Sequence, residues 1–267
     1  MGVVWKQGED GWSSSLRFNS MGRKYRHPPI IEALCELRFE PSAPWDGAIP
    51  DLVYEKVKAE FPIRRQAKAF EVNVAASLEG VEQRVTTTDR THFVRDDEKA
   101  FIQVDRNLLV VNHLKPYPTW QQFLPLIQLG FTAYREVAKP KGIQRIGLRY
   151  INRIEIPGQN IELEDYLQFR PFIGPDLPQD FDSFVVGIQI PYENSRDSLR
   201  LQLASSITET PNVAAVLLDL DYFLVQPSQV SMGEVFTWLE PAHHRVEEVF
   251  EACISDRLRG IFEEVDQ

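Results

Sequence analysis

The chain contains no apolar run approaching the roughly 18 residues that a membrane span needs, and its N-terminal stretch lacks the apolar centre of a signal peptide. Only two cysteines are present, Cys35 and Cys253, far apart and each on the apolar face of a predicted element. They read as buried free thiols in a reducing compartment, which points to the cytoplasm. Basic residues are in deficit: 29 Lys and Arg stand against 39 Asp and Glu, a formal charge of −10. Such a balance argues against a protein that coats nucleic acid, because phosphate neutralisation supplies most non-specific affinity. No nucleophile context, metal-ligand spacing or phosphate-binding loop stands out. No catalytic residue, metal or cofactor is therefore assigned, and the reading leans away from an enzyme.

What is present is an ordinary globular composition, 43% hydrophobic and 25% charged, in a chain of 267 residues, long enough to bury a core without staples. Residues 1–20 hold Trp5 and Trp12 without periodicity. They are expected to form a leader outside the fold, with Met21 as the natural start and residues 21–267 as one domain. Ile31, Ala33, Cys35, Leu37 and Phe39 alternate with Glu32, Glu36 and Arg38, the pattern of a half-buried strand. Residues 51–61, with Val53, Val57 and Phe61 at helical spacing, predict a short helix stopped by Pro62. Three or four strands follow between residues 69 and 114. A long helix runs from Trp120 to about Ala138, with Thr119 as N-cap and a bend at Pro125.

Residues 142–157 then form a long β pattern with arginines four apart. Gln144, Ile146, Leu148, Tyr150, Asn152 and Ile154 share one face; Arg145, Gly147, Arg149, Ile151 and Arg153 share the other. Two hairpins are expected from 184–190, 199–203 and 213–225. Ser231 to Glu234 matches a capping box opening a helix to about Phe262, kinked at Pro241. The order strand, helix, antiparallel strands, long helix occurs twice. It predicts an α+β fold: a curved, mostly antiparallel sheet in two pseudo-repeated halves, about 28–138 and 142–264, with two long amphipathic helices on one face. The architecture is that of a helix-grip or TATA-binding-like saddle.

Tyr25-Arg26-His27-Pro28-Pro29-Ile30-Ile31-Glu32-Ala33, Glu36-Leu37-Arg38-Phe39, Pro116-Tyr117-Pro118-Thr119-Trp120 and Arg145-Ile146-Gly147-Leu148-Arg149-Tyr150-Ile151-Asn152 occur in this order. Together they resemble a sporadically distributed prokaryotic family of uncharacterised proteins of similar length. The resemblance implies a domain extent from Met21 onward and no activity, substrate or catalytic residue. Its patchy distribution would suit an accessory role such as defence against mobile elements.

The best candidate surface is the ladder Arg145, Arg149 and Arg153, with neighbouring rungs about 13 Å apart, too far for one small phosphate to bridge. A longer polyanion or an acidic protein face would span it. Alternatively the arginines pair with Asp219 and Asp221, which share a face of a later strand. Those two carboxylates also have the spacing of a hard-cation site, though two acids alone are common without a metal. Tyr150 and Asn152 complete the candidate set, because a pocket between sheet and helices would be lined by Arg149, Tyr150 and Asn152. His243 and Glu247 form an i, i+4 pair that reads as a solvated helix face. His92 and His113 read as strand-edge residues, and Trp120 and Trp238 as core anchors.

The leading expectation is thus a non-enzymatic cytoplasmic module that binds a protein partner or ligand through its open sheet face or the cleft between its halves. The alternatives are an enzyme or sensor holding a small anionic ligand between sheet and helices, and nucleic-acid binding through the saddle. The oligomeric state is left open.

Overall fold

The structure, a computed structural model, describes residues 23–41, 44–77, 80–158 and 160–265, and within 68–89 the backbone alone. The expected leader, with Trp5 and Trp12, lies outside the described residues. Period-two alternation makes Ile30–Glu40 the first strand, β1: Ala33, Cys35, Leu37 and Phe39 are fully buried, and Glu32, Glu36 and Arg38 between them are half-buried. Helix α1 (Ile49–Val57) buries Val53 and Val57. Four strands follow: β2 (Ile63–Ser77), β3 (Gly80–Val94), β4 (Ala100–Asp105) and β5 (Leu108–Leu114). Helix α2 (Trp120–Ala138) leads to β6 (Gly142–Pro157). Then come β7 (Val185–Tyr192), β8 (Asp197–Ser206), β9 (Val213–Leu224), and helices α3 (Val235–Cys253) and α4 (Asp256–Phe262).

The nine strands among the described residues join one antiparallel sheet in the order β2-β3-β4-β5-β1-β6-β9-β8-β7. The expected α+β class with a large antiparallel sheet is what the chain adopts. The strands β1 and β6 lie side by side at its middle, with Leu37 opposite Ile146 and Cys35 opposite Leu148.

One core joins the inward residues of β1, β4, β5, β6, β8 and β9 to the apolar stripes of α1, α2 and α3. From α2 come Phe123, Ile127, Phe131 and Tyr134; from α3 come Trp238, Leu239, Ala242 and Val246. Phe39 stacks on Tyr134 with centroids 4.7 Å apart. Where α2 crosses β4 and β5 it presents Gly130; a Cβ there would stand 3.2 Å from both Ile102 Cδ1 and Val111 Cγ2. Each large side chain buried this way contributes about 1.5–3 kcal/mol. The consequence for function is that the helices take one face of the sheet, and Glu32, Glu36, Arg38 and the β6 arginines stand on the other.

Several boundaries differ from the sequence pattern. The expected single C-terminal helix is broken at Ile254, which is extended and bridges to Leu167. Ser255 then accepts from Leu258 N–H and opens α4 as its N-cap. The Ser231 to Glu234 pair does form, with both the backbone N–H and the hydroxyl of Ser231 donating to Glu234, but in the turn ahead of α3. Strand β2 starts directly after Pro62, through the basic run Ile63-Arg64-Arg65. Thr119 opens α2 in extended conformation without a side-chain cap bond; its carbonyl accepts from Phe123 instead. Among the described residues, no helix is long and apolar enough to cross a membrane.

Candidate functional site

β6 divides the five candidate residues between two environments. Arg145, Arg149 and Arg153 lie on the face away from the helices, with side chains 27%, 34% and 29% exposed. Tyr150 and Asn152 lie on the helix face, 4% and 1% exposed. Neighbouring residues of a strand point to opposite sides, so a pocket lined jointly by Arg149, Tyr150 and Asn152 does not exist.

On the outer face the arginines are paired. Arg149 makes a bidentate fork on Asp219, Nε to Oδ1 at 2.8 Å and Nη2 to Oδ2 at 2.5 Å. Arg145 donates from Nε to Glu36 Oε1 at 3.0 Å and from Nη2 to Asp221 Oδ2 at 3.0 Å. Its guanidinium also lies over the Phe223 ring at 4.5 Å. The register explains the reach: Asp221 sits opposite Arg149, so the Arg145 side chain extends along the strand to meet it, passing over Gly147. A Cβ on Gly147 would stand 3.1 Å from Arg145 Nη2 and 3.4 Å from Asp221 Oδ1. Arg38 donates to Glu36 at 2.9 Å and Arg200 to Asp221 at 3.0 Å. The result is a chain of alternating charge across four strands: Arg38, Glu36, Arg145, Asp221, Arg200. Arg153 spends its donors on Glu155, Ser206 Oγ and the Ile207 carbonyl.

A neutral-polar string continues the pattern across the first strands. Asn112 Nδ2 donates to Glu32 at 2.7 Å, Gln103 Nε2 to Asn112 Oδ1 at 2.9 Å, and Arg90 Nη1 to Gln103 Oε1 at 3.3 Å. Burial and pairing compete along this face. Burial raises the Asp221 carboxyl above its usual range despite Arg145, Arg200 and Arg149. Burial also acts upward on Glu36, but the bonds and charges of Arg38 and Arg145 outweigh it and hold that carboxyl low. The Asp219 fork raises Arg149 further, against the effect of burial.

The inner face holds a second polar chain. Tyr150 Oη is 3.1 Å from both Tyr117 Oη and His243 Nδ1, and His243 Nε2 is 3.2 Å from Glu247 Oε1. Trp120 stacks on His243 with centroids 4.4 Å apart and donates from Nε1 to Glu240. Burial pushes the Tyr117 and Tyr150 hydroxyls up. It acts the same way on Glu247, but His243 and His244 bring that carboxyl down. The expectation of a solvated His243 is overturned: it is 6% exposed, because it lies four residues after Leu239 and three before Val246 on the buried stripe. Asn152 donates to the Leu218 carbonyl at 3.1 Å, a bond that bridges β6 to β9.

Two further histidines, His113 and His92, sit in β5 and β3. His113 is buried with Nδ1 2.8 Å from the Leu114 carbonyl, and His92 stacks on Phe101. Cys35 and Cys253 are free and buried, and burial pushes the Cys253 thiol up to about 12. Among the described residues no three His, Cys, Asp or Glu side chains gather as a metal site. Among the described residues, an open groove of about 280 Å³ lies between Pro41, Trp45, Tyr134 and Lys139, and none of its lining residues belongs to either polar chain. Glu36, Arg38 and Arg200 as members of the outer network, and Tyr117 on the inner one, were not marked by the sequence; pairing register, which a single chain does not reveal, brings them in.

No protein-family model matches this chain, and none of the curated proteins compared with it is similar.

Proposed function

We propose that the chain is a non-catalytic cytoplasmic binding module, and that its helix-free sheet face receives a protein partner. The observation that carries this reading is the alternating network Arg38, Glu36, Arg145, Asp221, Arg200. It is held in fixed geometry on a face that none of the described helices covers, and its terminal arginines are 41% and 48% exposed. Charges already paired within the sheet do not present the uncompensated positive field that a polyanion requires, so the fitting partner is a protein surface of mixed charge. The nucleic-acid alternative loses support for the same reason, and the small-anion alternative because Arg149 lies on the opposite face from Tyr150 and Asn152.

The strand order supports a reading as two pseudo-equivalent halves. Outward from the centre run β1-β5-β4-β3-β2 on one side and β6-β9-β8-β7, one strand fewer, on the other. A saddle built from such halves would offer its outer face along the line of the network, in keeping with the accessory role that the family resemblance suggests.

The test is a quantitative co-purification from producing cells, comparing the wild type with Arg38→Ala/Arg200→Ala. Glu36 and Asp221 each keep Arg145 in this variant, so the fold is retained. A partner enriched by the wild type and lost by the variant is the expected result; equal recovery of every partner overturns the reading.

A further inference from the structure

The two edges of the sheet are protected differently. Edge strand β2 opens with Arg64 and Arg65, cations of the kind that keep a free edge from pairing with other chains. Edge strand β7, Val185-Val186-Gly187-Ile188-Gln189-Ile190-Pro191-Tyr192, carries no charge at all. Its Val185 is 72% exposed and its Ile188 47% exposed.

Its hydrogen-bonding pattern shows which groups are free. Phe184 O accepts from Ser205 N–H at 3.0 Å, and Ile190 O accepts from Ser198 Oγ at 3.2 Å. Even-numbered residues of β7 therefore turn their backbone groups toward β8, and Val185, Gly187 and Gln189 turn theirs outward. Pro191 belongs to the outward set, where its missing N–H interrupts no bond to β8. Among the described residues, nothing else hydrogen-bonds to that outer edge.

We propose that β7 is a homodimerisation edge: two copies pair β7 with β7, antiparallel about a two-fold axis at Gly187, and join their sheets. The sequence is self-complementary in that register. Val186 meets Ile188 of the second copy and Phe184 meets Ile190, both apolar pairs on the helix side, and Val185 meets Gln189 on the other side. β7 itself holds no charged residue, so no like charges oppose one another in the new ladder. Pro191 falls at the ends of the new ladder, where it costs no central bond. A shift by one pairing step in either direction sets Asp182 against Ile190 or Pro191 against Val185. Strand pairing alone falls short of the roughly 800 Å² per partner of a standard interface. The segment leading into β7 supplies more apolar surface through Phe172, Leu177 and Phe181, which are 87%, 61% and 43% exposed.

Sedimentation equilibrium of the purified chain tests the association, and cysteine cross-linking tests the register. The wild type is expected at twice the 30.8 kDa chain mass, and Val185→Lys/Ile188→Lys at the chain mass with an unchanged Tm. Under mild oxidation Gly187→Cys should give a cross-linked dimer, because directly opposed hydrogen-bonded residues lie about 5.5 Å apart at Cα, within disulfide reach. Val185→Cys, which faces Gln189 instead, should not. Native Cys35 and Cys253 are buried and leave the assay clean. A wild type that stays monomeric, a lysine variant that stays dimeric, or equal cross-linking at both positions overturns the proposal.

Discussion

Arg145 reaches Asp221 by lying across Gly147: Nη2 is 3.0 Å from Oδ2, and a Cβ on Gly147 would stand 3.1 Å from that same nitrogen. The glycine is a requirement of the ion pair, since its backbone is ordinary strand. Asp221 is 5% exposed, so it depends on its two arginines to offset desolvation.

Substituting Gly147→Val should therefore destabilise the fold by about 1–3 kcal/mol, through overpacking and displacement of Arg145, although valine is the better strand former. Urea unfolding measures this. A neutral or stabilising result would show that Arg145 moves aside without loss.

The Arg149 and Asp219 fork is partly exposed, at 34% and 15%, so its strength is that of a screened pair with good geometry. A double-mutant cycle with Arg149→Ala and Asp219→Ala should return a coupling of about 1 kcal/mol. Zero coupling would mean that the fork is incidental.

Tyr150→Phe removes one hydroxyl that serves both Tyr117 and His243 in the interior. The expected cost is about 1–3 kcal/mol, because two buried polar atoms lose a partner at once. Tyr117→Phe, at the end of the chain of bonds, should cost less; equal costs would show that His243 does not depend on Tyr150.

These sites differ in how far the sequence disclosed them. The alternation in β1 and β6 named most of the buried residues and placed the arginines opposite them, because a strand's period of two needs no partner to be read; Gln144, expected on the core face, is exposed and Ile143 is buried instead, because the register against β1 shifts there. Asp219 and Asp221 were identifiable as counter-ions by the same rule. The particular pairings were not: Arg145 passes Gly147 to reach Asp221, and Arg149 takes Asp219 instead of the directly opposite Asp221, a choice made by side-chain length and register. His243 was misassigned because its polarity outweighed its spacing from Leu239 and Val246, which already set it on the buried stripe. The break before Ser255 follows from a tertiary bridge between Ile254 and Leu167, which no local pattern announces.

Glu247 supplies a pH signature. Its carboxyl is held below the usual range; burial opposes this, and the bond to His243 with the charges of His243 and His244 produces it. A lowered carboxyl contributes stability that is present above its ordinary pKa and is lost as pH falls through the folded value. The stability difference between wild type and Glu247→Gln, read by urea unfolding, should thus favour wild type at neutral pH and shrink on acidification. A difference independent of pH would remove this role.

Arginine-specific dicarbonyl labelling of the chain, free and with its co-purified partner, tests the outer face as a docking surface most directly. Arg38, Arg149 and Arg200 should lose reactivity in the complex, while Arg245 and Arg257, 40% and 58% exposed beside the helices, keep theirs. Unchanged labelling of the three sheet arginines, or protection confined to Arg245 and Arg257, would contradict the account.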